Sequence, residues 1–166
     1  MATVDNPFKP VHDAIWAVFE ANTALKALVK LGNRIKLDGK NVNPFKQQQV
    51  DSDFPQLLVV PAGGQFEPIK TSDDSELVQY YDVHVSDSDL VVTNDFFPLK
   101  WEILKSITKF ATNIRDGSTD LSYVKRIFVE DIEEGLKPED EQVGWTGIMR
   151  ISVLMYFSID DLTTIP

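Results

Sequence analysis

Apolar residues recur near the helical period from Pro10 to Lys30, at Val11, Ile15, Val18, Phe19, Leu25, Leu28 and Val29, which predicts a first helix. Pro10 suits a first turn, and Gly32 with Asn33 supplies a stop. A helix of that length measures about 30 Å, enough to lie across a sheet. Arg34 to Leu37 alternates as a short strand and ends at the Asp38-Gly39 turn signal. Residues 40–54 have no clear period and read as a long loop, after which Gln56 to Pro61 forms a continuous apolar strand. Gly63-Gly64 predicts the opening of a second loop that reaches about Ser75. Leu77 to Val85 reads as a strand, with Leu77, Gln79, Tyr81, Val83 and Val85 on a mostly apolar side and Val78, Tyr80, Asp82 and His84 on a mixed one. The stronger amphipathic signal runs from about Pro98 to Arg115, where Ile103, Leu104, Ile107, Phe110, Ala111 and Ile114 share one face before the Asp116-Gly117 stop. Ser122 to Glu130 and Thr146 to Ile159 are the last two strands, parted by an acidic segment in which Gly135, Pro138 and Gly144 act as breakers.

This order predicts an α+β fold in which two helices pack on one face of a largely antiparallel four- to five-stranded sheet. The 166 residues, 43% hydrophobic and 25% charged, suit a single domain spanning 1–166 with one core. With no cysteine, disulfides, thiolate nucleophiles and cysteine-ligated metals are excluded. No apolar run approaches the ~20 residues that cross a bilayer, and the N-terminal segment has no signal-peptide pattern, so a soluble, unprocessed chain is expected.

The net charge of -10 argues against a protein that holds nucleic acid by neutralising its phosphates. Its distribution says more. Residues 34–46 carry Arg34, Lys36, Lys40 and Lys46 against Asp38 alone, whereas Glu130, Asp131, Glu133 and Glu134 open an acidic run that continues to Glu141 and contains only Lys137 as a base. Opposed patches of this kind suit head-to-tail association of like copies, and solvated loops are the plainer reading.

Candidate chemistry is sparse. His12 and His84 have no ligand motif beside them, and the aspartate pairs lack the further positions of an EF-hand, leaving a weak structural calcium site at Asp87 and Asp89 as a minor alternative. No nucleophile elbow, phosphate loop or dinucleotide fingerprint occurs, which disfavours an enzyme and implies no catalytic residue, metal or cofactor. Trp16 and Trp101 lie beside the main apolar stripes of their helices, where large aromatics either widen the core face or anchor an interface. Trp145, between Gly144 and Gly147, either plugs the end of the sheet or docks a partner.

The sequence of elements resembles a known family. A helix with the leucine-rich half VFEANTALKALVK is followed by an R-I-K-L strand, a loop, the buried F-P-Q-L-L-V-V-P strand, a strand-helix unit, and a closing R-I-S-V-L-M-Y-F strand after an acidic loop. This order resembles the tail terminator proteins of long-tailed bacteriophages and the related tail-completion and neck proteins. The resemblance covers most of the chain and rests on pattern, not on a diagnostic motif. It implies a structural virion subunit, assembled in the host cytoplasm, that forms a six-membered ring on the tail tube protein. Such a ring stops tube polymerisation, meets the head connector or neck proteins, and passes DNA only as non-specific cargo, with no membrane partner and no reaction catalysed. Charge and loop placement make Arg34, Lys36, Lys40, Lys46, Glu130, Asp131, Glu133, Glu134 and Trp145 the candidate subunit or partner interface. The alternatives are another ring component resembling a tail tube protein, and a small α+β ligand-binding or enzymatic domain.

Overall fold

A computed structural model describes residues 6–36, 54–66, 74–89, 91–136 and 144–158. Helix α1 spans Phe8–Ala21 and α2 spans Thr23–Leu28, followed by a single 3-10 turn at Leu31–Asn33. The strands are β1 (Arg34–Ile35), β2 (Gln56–Phe66), β3 (Asp74–Asp87), β4 (Val124–Leu136) and β5 (Trp145–Ser158), and α3 (Phe96–Arg115) joins β3 to β4. They form one five-stranded sheet in the order β1-β2-β3-β5-β4, antiparallel except where β1 meets β2. The fold is therefore α+β, as the pattern of elements predicts. The α3 crossover lets β4 run parallel to β3, and the β4–β5 hairpin then places β5 between them.

The inward residues of the sheet explain where the helices sit. Leu57, Val59, Tyr81, Val83, Met149, Ile151 and Val153 share one face and join a single buried cluster with Val11, Ile15, Phe19, Leu99, Ile103 and Phe110 of the helices. Tyrosines fix the start of α1 to this layer, since the Tyr81 hydroxyl donates to the Phe8 carbonyl at 3.1 Å and the Tyr123 hydroxyl to the Pro7 carbonyl at 3.1 Å. Burial pushes both phenols above their ordinary pKa, which keeps them neutral donors.

Four expectations are revised. The helix expected from Pro10 to Lys30 is broken at Asn22, which is extended (ψ 101°) and whose side chain accepts from the Leu25 amide at 3.0 Å as the cap of α2. Its amide nitrogen also lies 3.2 Å from the Glu102 carbonyl, 3.1 Å from Glu102 Oε2 and 3.0 Å from Ser106 Oγ, so the break is tied to α3. The first strand shrinks to Arg34–Ile35. The Gly63-Gly64 pair does not open a loop; β2 continues through it to Phe66 with an irregularity between Pro61 and Gly64. Gly63 takes a positive φ of 82° there, and a Cβ on Gly64 would come within 2.3 Å of the Val78 carbonyl oxygen. Lastly, β4 runs past Glu130 to Leu136, so the acids at 130–134 lie on a strand. The expected stop of the second helix is found, with Gly117 at φ 69° just beyond its end.

Because Asn22 both caps α2 and hydrogen-bonds α3, Asn22→Ala is expected to lower stability by about 1–3 kcal/mol. Urea unfolding checks this against Thr23→Ala at an exposed neighbouring position, which is expected to change stability by less than about 0.5 kcal/mol.

Candidate interface surfaces

The register of the sheet sorts the acidic run into two groups. Glu130 lies opposite Arg150 and Glu133 opposite Ile148, on the face away from the helices, whereas Asp131 lies opposite Met149 and Glu134 opposite Gly147, on the helix side. The extra residue at the shift of register between Asp131 and Glu133 is Ile132, which is 45% exposed. Lys100 of α3 reaches over and pairs with Asp131 at 3.2 Å and with Glu134. Burial alone would lower the Lys100 ammonium, but the two carboxylates outweigh it and hold it above its ordinary pKa. Two of the four predicted acids are thus engaged within the subunit, and Glu130 and Glu133 remain on the outer face of the sheet.

The predicted basic patch is more strongly reduced. Arg34 is buried and paired with Glu20, which removes it from the surface as an interface charge. Lys36 lies 3.4 Å from Asp13 on α1, a carboxylate that Lys9 also contacts. Lys40 and Lys46 fall outside the described residues. Trp145 stands opposite Asp87 and Leu136 at the start of β5 and packs on Phe96 with ring centroids 6.0 Å apart, so it closes the end of the sheet over the core.

Two surfaces emerge that charge runs do not single out. On α3 the residues Phe97, Trp101, Lys105 and Lys109 follow one another at four-residue spacing along the outer side, with Trp101 61% and Phe97 47% exposed. Trp16, the other tryptophan flanked by a helical apolar stripe, is buried at the centre of the core and meets Phe19 edge-on at 5.8 Å. The second surface is the outer face of the sheet. Leu58, His84 and Ile148 form one row across it, Val60, Asp82, Arg150 and Glu130 the next, and Tyr80, Ser152 and Phe128 the third. Its centre is internally satisfied, because Arg150 donates two hydrogen bonds to the Asp82 carboxylate, at 2.7 and 2.9 Å, and its guanidinium lies 5.1 Å from the centre of the Tyr80 ring. On β4 this face carries Phe128, 50% exposed, between Arg126 and Glu130.

Among the described residues no three His, Asp or Glu side chains are arranged to hold a metal ion. Asp87 and Asp89 instead hold nearby groups of their own chain. The Asp89 amide donates to Asp87 Oδ1 at 3.2 Å, the Val91 amide to Asp89 Oδ1 at 2.8 Å, and the Asn94 side chain to Asp89 Oδ2 at 2.8 Å. His12 and His84 are both pushed below the ordinary histidine pKa, chiefly by burial, and each has a single carboxylate residue or two nearby instead of a ligand set. No protein-family model and no curated protein sequence matches the chain.

Asp87 is 2% exposed and its Oδ2 has no hydrogen-bond partner, so burial pushes its carboxyl above the ordinary range. The folded state then holds this proton more tightly than the unfolded state, and stability is lost as pH rises through the window above the ordinary aspartate pKa. Asp87→Asn is expected to raise the melting temperature by about 2–4 °C at pH 7. The gain should shrink as pH falls toward the ordinary aspartate pKa, where the wild-type carboxyl takes up its proton; thermal unfolding along a pH series checks it.

Proposed function

We propose that the chain is a structural virion protein of a long-tailed bacteriophage, a tail terminator or neck-ring subunit that caps the tail tube, stops its polymerisation and joins tail to head connector. The observation that carries this reading is that one subunit presents two unlike exposed surfaces on opposite layers: an aromatic and cationic stripe on α3, and an acid-edged, half-apolar sheet face. Unlike surfaces on one subunit make heterologous contacts, which close into rings when the rotation between copies divides a full turn. The resemblance in element order supplies the setting, and the α+β architecture agrees with it. The net charge of -10 suits a conduit that DNA passes through without being gripped. In this reading the partners are other copies of the chain, the tail tube protein and the head connector or neck proteins. The protein acts in the virion, at the tail or neck, after assembly in the host cytoplasm, and it catalyses no reaction and carries no cofactor.

Light scattering across concentration, with negative-stain images of the same sample, tests the reading. A closed ring of six 18.8 kDa subunits, about 113 kDa, is the expected result. Open tubes of indefinite length would point instead to a component resembling a tail tube protein. A monomer that tail tubes fail to recruit, and that binds a small molecule saturably, would replace the reading with a ligand-binding or enzymatic domain.

A further inference from the structure

Resting on the assembly reading above, we infer that the outer stripe of α3 docks a second copy of this chain. Phe97 and Trp101 of one copy seat on the sheet face of the next beside β4, against Phe128 and Ile132. Three features of the subunit lead to this arrangement.

The first is exposure. Four of the exposed large apolar side chains fall into two pairs, Phe97 with Trp101 at 47% and 61%, and Phe128 with Ile132 at 50% and 45%. Aromatic anchors of this type supply most of the energy of protein contacts when a partner desolvates them.

The second is charge. Lys105 and Lys109 continue the helix stripe beyond Trp101, and Glu130 and Glu133 flank Phe128 and Ile132 on β4. Lys105 also bonds Glu102 within α3 and Arg126 stands on the other side of Phe128, so the rims of opposite sign are the Lys105–Lys109 end of one patch and the Glu130–Glu133 end of the other. Such a rim fixes register and speeds encounter more than it adds affinity.

The third is topology. Lys100 turns inward to the helix-side acids Asp131 and Glu134, while Glu130 stands opposite Arg150 in the strand register, on the far side of the sheet. The stripe and the sheet face lie on opposite layers of one subunit and cannot meet within it. Contact between them joins different copies head to tail, and the helix layer of one copy then supplies the missing cover for the sheet of the next. Strand addition at β4 is disfavoured by the same residues, since the irregularity at Ile132 and the surrounding carboxylates blunt that edge.

The test measures native mass against concentration for the wild type, Trp101→Ala, Lys105→Glu with Lys109→Glu, Glu130→Lys with Glu133→Lys, and all four charge changes in one chain. Circular dichroism of each monomer verifies folding, which exposed positions tolerate. Trp101→Ala is expected to raise the concentration at half assembly by roughly tenfold or more. Each charge pair alone should weaken assembly, and the fourfold variant should recover it, because the signs are complementary again. Assembly unchanged by Trp101→Ala, or a folded fourfold variant that fails to recover, overturns the inference while leaving a ring intact as a reading. A Trp101-dependent oligomer that is not a ring upholds the inference and overturns the ring. A wild type that stays monomeric at every concentration overturns the inference.

Discussion

The unbroken pairing of β3 with β5 is the constraint on which the rest of the subunit depends. The two strands match residue for residue from Asp74 opposite Ser158 to Asp87 opposite Trp145. Side chains alternate between faces, so this one register sends Tyr81, Val83, Met149, Ile151 and Val153 to the helices together. A slip of one residue would turn one strand's inward set outward and bring either Asp82 and His84 or Arg150 into the core. The same register sets the outer face, because it places Arg150 opposite Asp82 in geometry that allows two charge-assisted hydrogen bonds. Tyr81, held by this pairing, in turn fixes the first residue of α1.

A sheet with helices on one side only is left with a second face that water must cover. This chain fills that face with a mixture. The Asp82–Arg150–Tyr80 centre needs no partner, whereas Phe128 on β4 gains from one. On the helix layer, α3 divides its residues in a comparable way. Leu99, Ile103, Ile107 and Phe110 are buried in the subunit, and Lys100 is committed to β4, which leaves Phe97 and Trp101 with solvent. Both layers are thus complete as a fold and incomplete as a surface, the condition under which like copies associate by unlike patches.

Most of the fold was legible in the sequence because its signals are local. The alternation from Leu77 to Val85 and the helical period from Ile103 to Ile114 follow directly from how each element buries one face. What escaped is set by partners far away in the chain. The apolar period continues across Asn22, where its cap on the Leu25 amide and its hydrogen bonds to Glu102 and Ser106 mark the break. The acids at 130–134 resemble a loop until Arg150 and Lys100 are seen beside them. Arg34 reads as a surface charge because its partner, Glu20, stands fourteen positions earlier. The interface stripe was half visible: Trp101 stood out as an aromatic at the margin of its helix, as Trp16 did, and the two part company only when packing buries one and leaves the other outside. Lys105 and Lys109 belong to no charge run, so spacing along α3 was the one signal for them.

The central claim, that the helix layer of one copy covers the sheet of the next, is tested most directly by crosslinking between copies. The chain contains no cysteine, so introduced thiols are the only reactive ones. Lys105→Cys in one preparation and Glu130→Cys in another leave the aromatic anchors untouched, and the two are mixed and treated with a short thiol-to-thiol crosslinker. The account predicts a crosslinked product in the mixture under assembling conditions that neither preparation yields alone. Assembled particles in which Lys105→Cys and Glu130→Cys copies never join would contradict it.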